Sequence, residues 1–261
     1  LHVHTQYSLL DGLSKNEDLA AAAKAYNMDA LALTDHGAMY GAVHFYNSMT
    51  REGIKPLIGM EAYYTPGDRA DRSREFKTHH LLLLAKNLTG YRNLMQLTTI
   101  AHLEGFYYKP RIDWETLKAY KAGLIATTSC AQGEVPWLIG KGDFPAAEAR
   151  FQAYLELFGD DYYIELQRHD GLEKTLVPLN KELLRLSRKY GVPIIATNDV
   201  HYVRAEDARA QDALLAIQTR TTLDDKNRFT MIDSPTFYLK SQVEMADLFA
   251  DLPEALRNTR K

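Results

Sequence analysis

The sequence has few of the features that mark membrane, disulfide-rich or strongly charged proteins. Its 261 residues contain a single cysteine, so no internal disulfide can form and a reducing compartment is indicated. No apolar run approaches the roughly 18 residues that a membrane-spanning helix requires. The formal net charge is −3, which argues against a basic nucleic-acid-binding module. That argument weakens if divalent cations bind, because they add positive charge at one spot. We expect a cytoplasmic protein.

The length and composition suit one globular domain. Hydrophobic residues make up 46% and charged residues 25%, as in ordinary soluble proteins. The length also suits a single α/β barrel, which commonly needs about 200–250 residues. The chain starts with leucine, and residues 257–261 resemble the middle of a polar helix. We therefore expect one domain of a longer protein.

Short apolar runs alternate with amphipathic stretches along most of the chain. This alternation predicts βα units and an α/β fold built on a parallel sheet or barrel. Seven strands are predicted, at Leu1–His4, Ala30–Thr34, Lys55–Tyr63, His80–Ala85, Leu124–Thr128, Tyr162–Leu166 and Pro193–Thr197.

Two predicted helices have recognisable ends. Lys15–Tyr26 is rich in alanine, and Ser14 is its expected N-cap. Leu172–Tyr190 carries apolar residues at roughly helical spacing and stops before Gly191, a good C-terminal signal.

The polar and irregular stretches divide the remainder. Tyr64–Lys77 and Gly105–Arg111 are predicted loops, the second combining aromatic and basic residues. The pattern changes beyond Tyr202, so we expect a barrel core over residues 1–203 and an extension over residues 204–261 that leads to further domains. The extension is predicted as a helix at Ala205–Gln218, irregular or extended chain at Asp224–Lys240 and a second helix at Gln242–Lys261.

Metal-binding residue types fall on the predicted strands or near their ends. His2 and His4 alternate on one strand, so both side chains point to one face. Asp199 and His201 repeat this spacing after the last strand. Catalytic residues of a barrel gather where strands end. The nine candidate ligands are His2, His4, Asp11, His36, Glu61, His80, Cys130, Asp199 and His201.

These donors suit zinc, while manganese, iron or magnesium are alternatives where oxygen ligands dominate. Nine ligands are too many for one ion, so two or three divalent metal ions are expected. Cys130 is alternatively a buried small hydrophobe. The choice between His79 and His80 is open on residue type alone, and Asp35 is expected to orient a histidine instead of binding metal.

Several motifs together resemble the polymerase and histidinol phosphatase (PHP) superfamily. They are His2-x-His4, Thr34-Asp35-His36, Gly59-Met60-Glu61, His80 and Asn198-Asp199-x-His201. The motif alignment favours His80 over His79. The runs from His2 to Gly12 and from His80 to Leu94 are similar to bacterial replicative DNA polymerases.

The resemblance implies a distorted seven-stranded βα barrel with a metal cluster at the C-terminal ends of its strands. By the family pattern, His2, His4, Glu61 and Asp199 hold a first metal. The pattern assigns a second metal to Glu61, His80 and Cys130, and a third to Asp11, His36 and His201. The implied activity is a metal-dependent phosphoesterase with Asp199, His201, Glu61 and His4 as catalytic residues.

The resemblance also implies a substrate. We expect 3′–5′ exonuclease action on a single-stranded or mispaired DNA 3′ end, within a chain that also carries polymerase domains and contacts other replisome subunits. Lys109, Arg111, Arg168 and His169 are the expected substrate contacts. One alternative is a metal-stabilised structural module that supports the polymerase and binds a separate proofreading subunit. Another is a standalone small-molecule phosphatase, which the fragment-like ends disfavour.

Overall fold

The computed structural model describes residues 1–73 and 75–261. Its strands form one sheet of eight members, in the order β4-β5-β2-β3-β6-β7-β8, with β1 pairing with β2. The strands are β1 (Ala30–Leu33), β2 (Lys55–Tyr64), β3 (His79–Ala85), β4 (Phe106–Tyr107), β5 (Lys109–Ile112), β6 (Leu124–Thr127), β7 (Tyr162–Gln167) and β8 (Ile194–Thr197).

Helices follow most of the strands and pack around the sheet. They are α1 (Asn16–Ala25), α2 (Ala42–Arg51), α3 (Leu88–Leu103), α4 (Trp114–Tyr120), α5 (Glu134–Gly140), α6 (Phe144–Phe158), α7 (Glu173–Tyr190), α8 (Ala208–Gln218), α9 (Gln242–Leu248) and α10 (Pro253–Arg257). Short 3₁₀ turns lie at Gly159–Asp161, Ala205–Asp207 and Asn258–Arg260. Across residues 1–73 and 75–261, no helix has the length and apolar character needed to cross a membrane.

The sheet is mixed, which corrects the expectation of parallel strands throughout. β1 and β2 are parallel, as are β6, β7 and β8, but β3 runs antiparallel to both β2 and β6. The physical reason is the connection, because parallel neighbours need a crossover of a dozen or more residues, usually a helix. The described residues between β2 and β3 form no helix, so the chain returns in the opposite direction.

The N-terminal segment occupies the gap between β1 and β8. Val3 forms an isolated parallel bridge with Val200, and its carbonyl accepts a hydrogen bond from the Thr34 amide at 3.0 Å. The segment thus fills the place of the predicted strand Leu1–His4, although it forms bridges instead of a continuous ladder. The sheet therefore curls into a distorted barrel, as predicted, and brings both ends of the chain's first 200 residues together.

Period-two alternation sorts side chains between the barrel interior and the helices. On β2, Met60, Ala62 and Tyr64 pack into the main hydrophobic core outside the sheet, so Glu61 points inward between them. Leu81 of β3 also belongs to that outer core. The apolar faces hold the helices, and the inward faces are left for polar residues.

The other predicted strands are confirmed within one or two residues, but three local predictions are wrong. Gly105–Arg111 contains the β4–β5 hairpin instead of a loop. Ser14 does not cap α1, whose N-cap is Lys15 with no side-chain hydrogen bond. The last predicted helix is divided into α9, α10 and a 3₁₀ turn, with Pro253 starting α10.

Other local predictions are confirmed. Gly191 ends α7 in the left-handed conformation, with φ of 71°. Ala205–Gln218 is helical, and residues 224–240 contain neither helix nor strand. The described part of the predicted loop Tyr64–Lys77 is irregular after β2 ends, and Arg74 lies outside the described residues.

The C-terminal segment packs on the barrel. Phe249 and Ala255 are fully buried in the main core, and the side-chain amide of Asn258 donates to the Ile194 carbonyl at 2.8 Å. Leu239 joins the smaller core beside the N-terminal segment. Residues beyond β8 therefore share the barrel's hydrophobic cores.

A close backbone contact generates the first prediction. A Cβ at Gly90, in the first turn of α3, would lie 1.8 Å from the Gly123 carbonyl oxygen, whereas one at Gly140 would meet nothing within 4 Å. We expect Gly90→Ala to lower the free energy of unfolding by about 2–3 kcal/mol despite alanine's better helix propensity. Gly140→Ala is the matched control and stays within about 1 kcal/mol. Urea unfolding measures both, and equal stabilities would contradict the prediction.

Candidate metal centre

All nine candidate ligands meet at one end of the barrel. The N-terminal segment supplies His2 and His4, and the loops after it, after β1, after β6 and after β8 supply most of the others. Glu61 comes from the interior of β2, and His80 from the start of β3. Because β3 runs antiparallel to β2 and β6, its first residues lie at the same rim of the barrel as the last residues of those two strands. The reversal therefore brings His80 to the same site as residues that follow strand C-termini.

The deepest group consists of His2, His4, Glu61 and Asp199. Nε2 of His2 lies 3.2 Å from Oε1 of Glu61 and 3.3 Å from Oδ1 of Asp199. Nε2 of His4 lies 3.3 Å from the same Asp199 oxygen and 3.1 Å from Nε2 of His2. Both histidines are fully buried. Four donor atoms thus face a common point.

A second group shares Glu61 and adds His80 and Cys130. Nδ1 of His80 lies 3.0 Å from Oε1 of Glu61, and Sγ of Cys130 lies 3.5 Å from that same nitrogen. The neighbouring His79 points away and packs against the Trp137 ring at 5.1 Å between centroids. The structure therefore places His80, the residue that the motif alignment favours, beside Glu61 and Cys130.

A third group is formed by Asp11, His36 and His201. Oδ2 of Asp11 lies 3.0 Å from Nε2 of His36 and 3.1 Å from Nε2 of His201. His36 also reaches back to Glu61, with Nδ1 2.9 Å from Oε2. The three groups are consequently contiguous, and each matches one set implied by the family resemblance.

The site concentrates negative charge that no lysine or arginine of the described residues balances. Asp11, Glu61, Asp199 and an additional carboxylate, Glu165, are all buried. Among the described residues, their ion pairs are with histidines alone, and no lysine or arginine takes part. Burying unpaired carboxylates is costly, so the arrangement requires positive charge from protons or metal ions.

Burial and neighbouring charges change the pKa values of the imidazoles. Burial opposes the charged form, but the Asp11 carboxylate helps to raise the pKa of His36 to about 10 and that of His201 to about 9. His4 differs, because burial and the positive charges of His36 and His201 lower its pKa to about 3. Protons thus balance the charge where no cation is bound, and metal binding requires their release.

Several polar atoms in the site have neighbours but no hydrogen bond. They are Oδ2 of Asp11, Nδ1 of His36, Oε2 of Glu61 and Oδ1 of Asp199, all buried. Nearly all buried polar atoms in proteins have a hydrogen-bonding partner, so four exceptions at one place call for an explanation. Histidine and carboxylate atoms converging within 4.8 Å of one another suit divalent metal ions. The residues present therefore fit the implied metals.

Backbone conformation helps to aim two side chains of the site. Asp199 and Ser129 adopt positive φ values of 47° and 61°. This left-handed region is uncommon outside glycine and tends to occur at functional sites. Ser129 donates from its hydroxyl to Oε1 of Glu61 at 2.7 Å, and Asp199 directs its carboxylate toward the two deepest histidines.

Supporting hydrogen bonds fix the ligands from behind. Nδ1 of His4 lies 2.9 Å from the Ser8 hydroxyl oxygen, and that hydroxyl donates to Asp35 at 3.2 Å. Asp35 also accepts from the amide and hydroxyl of Thr5. Asp35 thus supports a histidine through Ser8, in agreement with its expected orienting role.

Sequence reasoning missed Glu165, which accepts from Nδ1 of His2 at 2.7 Å. The missed signal was a glutamate within the apolar strand sequence Tyr-Tyr-Ile-Glu-Leu-Gln of β7. An acidic residue inside a buried strand needs hydrogen-bonding partners. Only the fold shows that His2 is one of these partners.

The four expected substrate contacts are placed very differently. Lys109 is exposed beside the site, with Nζ 3.2 Å from the Tyr63 hydroxyl, and the Tyr63 ring stacks on His36 with centroids 5.7 Å apart. Arg111 is instead buried and donates to the backbone carbonyls of Gly105, Arg69 and Asp71. These hydrogen bonds hold the adjoining loops in place. Among the described residues, the hydrogen bonds of the Arg111 guanidinium are thus directed to backbone carbonyls.

The other two expected contacts, Arg168 and His169, contact residues of the C-terminal segment. Arg168 donates from its two terminal guanidinium nitrogens to the Asp251 carboxylate, at 2.6 and 2.9 Å. This pair ties the end of β7 to the segment after α9. His169 is buried, stacks on Phe237 at 3.9 Å between centroids, and has no hydrogen bond at Nε2. Phe237 in turn contacts His201 edge-on, so His169 is separated from the third group by one ring.

Comparison with known protein families gives a matching family model. A family model described as "PHP domain" matches residues 1–169. The match covers more than half of the chain. The chain therefore belongs to the PHP domain family.

Its relatives narrow the class further. It is 47% identical over 262 residues to DNA polymerase III subunit alpha of Borreliella burgdorferi, covering 99% of this chain and 23% of the relative. Subunits of the same name from Treponema pallidum and Thermus aquaticus are each 48% identical, covering 99% and 98% of this chain. The chain spans 22% and 21% of those two relatives.

A solved structure from Bifidobacterium adolescentis, titled as a candidate metal-dependent phosphoesterase, aligns with a TM-score of 0.48 and 15% identity. It covers 77% of this chain and 86% of its own.

The support behind His4 generates the second prediction. Asp35→Ala leaves the buried Thr5 amide without an acceptor, so we expect the free energy of unfolding to fall by about 2–4 kcal/mol. Asp29→Ala removes an exposed carboxylate paired with Arg260 and serves as control, with an effect below about 1 kcal/mol. Urea titrations of the metal-free protein compare them. Equal losses in the two variants would contradict the role assigned to Asp35.

Proposed function

We propose that this chain is the PHP domain of a replicative DNA polymerase III alpha subunit and is itself a metal-dependent 3′–5′ exonuclease. In this proposal residues 1–203 form the barrel and residues 204–261 an extension toward the polymerase domains. DNA, those domains and other replisome subunits are its partners, and the cytoplasm is its location. Similarity to three alpha subunits over almost the whole chain supports the polymerase context.

The observation that carries the catalytic proposal is the graded exposure of the ligand cluster. The side chains of His2, His4 and Glu61 are at most 1% exposed, whereas those of His36 and His80 are 17% and 19% exposed. Structural zinc sites are closed, while catalytic sites keep a position open to water or substrate. A cluster with a buried floor and an accessible edge favours chemistry over a purely structural role.

The residues present suit hydrolysis of a phosphodiester. Two or three divalent ions, zinc or alternatively manganese, iron or magnesium, would lower the pKa of water and offset charge on phosphate oxygens. His2, His4, Glu61 and Asp199 would hold the first ion. Glu61 would also join His80 and Cys130, and Asp11 would act with His36 and His201. Glu61, Asp199, His4 and His201 lie where the groups meet, so we assign them the catalytic roles.

Lys109 is the best-placed residue for contacting a DNA phosphate. It is exposed, it lies beside Tyr63, and Tyr63 packs on His36 and His80 at the accessible edge. His169 remains a proposed substrate contact, because it is near His201 and its Nε2 has no partner. Arg111 and Arg168 act through the loops and C-terminal segment that they hold in place.

The alternative is that metals only stabilise a module that supports the polymerase and binds a separate proofreading subunit. The extensive burial of the deepest ligands is compatible with that role. The two proposals differ in whether the accessible edge is used for hydrolysis, so a nuclease assay separates them.

Metal binding generates the third prediction. Chelation should lower the melting temperature, and zinc or manganese should restore it, because a ligand at 100 times its Kd adds about 2.7 kcal/mol. Binding should weaken as the pH falls, since the imidazoles must be deprotonated. His80→Ala should reduce the metal content measured by elemental analysis. His79→Ala should leave the metal content unchanged, because His79 packs against Trp137 on the other face of β3. Equal metal contents in both variants would contradict the assignment.

Nuclease activity is the fourth prediction. A 5′-labelled oligonucleotide with a mispaired 3′ end should be shortened stepwise by the metal-loaded protein. His4→Ala and Asp199→Ala should reduce the rate by roughly 100-fold or more, because the donor geometry is lost. His79→Ala should retain it. Metal-loaded wild-type protein that leaves the DNA intact would instead support the structural alternative.

Phosphate contact by Lys109 is the fifth prediction. Lys109→Ala should raise KM for the oligonucleotide about tenfold with little change in kcat, as expected when a uniform binding interaction is removed. Lys55→Ala is the charge-matched control, because Lys55 is at the start of β2 and Lys109 contacts Tyr63 near the end of that strand. A KM change of the same size in both variants would show that only general charge matters.

A further inference from the structure

Glu165 lies at the centre of a hydrogen-bond network behind the metal centre. It is in the middle of β7, is 2% exposed and points into the barrel. Its Oε1 accepts from Nδ1 of His2 at 2.7 Å, from the Thr197 hydroxyl at 2.6 Å and from the Gln167 amide at 2.9 Å. Its Oε2 accepts from the Thr127 hydroxyl at 2.6 Å. Three neighbouring strands and the N-terminal segment therefore converge on one carboxylate.

This network uses the acceptor capacity of Glu165. An ionised carboxylate offers about four lone-pair sites, two on each oxygen. Here three donors share Oε1, and one hydroxyl contacts Oε2. Oε1 therefore has no lone pair left for a metal ion, and Oε2 is held by the Thr127 hydroxyl of β6. Glu165 is consequently arranged to hold the groups around it, His2 among them.

The contact with His2 fixes which nitrogen of that ring faces the cavity. A carboxylate can only accept, so Nδ1 of His2 carries the proton that it donates to Glu165. In the neutral ring, Nε2 then carries no proton, and its lone pair is available to a metal ion. This nitrogen lies 3.2 Å from Oε1 of Glu61 and 3.3 Å from Oδ1 of Asp199. The negative charge behind the ring also makes that lone pair more basic.

The supports of the two deepest histidines differ. His4 is held through the hydroxyl of Ser8, with Asp35 behind it, whereas His2 contacts its carboxylate directly. His2 is therefore the ligand whose orientation and basicity depend most on one buried charge.

We propose that Glu165 is a positioning residue for the metal centre: it sets the tautomer and orientation of His2 and thereby the affinity of the deepest group for a divalent cation. This rests on the proposed metal binding. A purely structural role would change the stability of the metal-free protein without changing the cation affinity that remains after folding.

The test is a titration of the metal-free protein with Co²⁺, followed by its visible absorption. Glu165→Gln keeps the size of the side chain but removes its charge, and we expect the apparent Kd to rise about 10–100-fold. Glu134→Gln is the matched control. Glu134 is also a buried carboxylate, but it pairs with Arg150 and Tyr154 away from the centre, so its Kd should stay within about twofold of wild type.

A second variant protects the test against misfolding. Thr197→Val removes one donor to Glu165 and alters no candidate ligand, and we expect a rise in Kd of about threefold or more. If Glu165→Gln does not fold, this variant decides the question. An unchanged Kd in a folded Glu165→Gln variant, or in Thr197→Val when it alone folds, overturns the role of Glu165. Wild-type protein that binds no Co²⁺, zinc or manganese overturns the proposed metal centre itself.

Discussion

The buried carboxylates at the barrel rim impose the main physical constraint on this structure. Asp11, Glu61, Glu165 and Asp199 are buried beside imidazoles, and among the described residues no lysine or arginine pairs with them. Such charge is unfavourable in a low-dielectric interior unless cations or protons balance it. Asp11, His36, Glu61 and Asp199 each direct one atom without a hydrogen bond into the site, whereas His2 and His4 are hydrogen-bonded from behind. A preformed cation site accounts for both observations.

The mixed sheet makes this concentration of ligands geometrically feasible. In a fully parallel barrel, residues at the start and end of strands lie at opposite ends. The reversal of β3 brings His80 to the rim reached by the C-terminal ends of β6 and β8, while the N-terminal segment adds His2 and His4 between β1 and β8. The same alternation that faces Met60 toward the helices faces Glu61 inward. Core packing and ligand placement are therefore two consequences of one strand pattern.

Local rules predicted the parts of the site that depend on spacing along one element. The period-two pairs His2–His4 and Asp199–His201 could be read as sharing a face, and strand-end positions indicated the rim. The rules do not identify contacts whose partner lies on a distant element. Arg111 is basic and near an aromatic cluster, yet its partners are backbone carbonyls of two loops. Its burial follows from how those loops cross it, which no local pattern encodes.

The sequence alone determined the family, the α/β class, six of the strands closely and the residue types of the candidate ligands. Motifs, hydrophobic periodicity and donor types are properties of short segments. Tertiary structure decided the direction of β3, the placement of His80 beside Glu61 and of His79 against Trp137, and the attachment of Glu165 to His2. Each of these depends on contacts between residues far apart in the chain, up to 163 positions for Glu165 and His2. Such contacts form only when the barrel closes and excludes water, since burial is what requires each charge to find its partner.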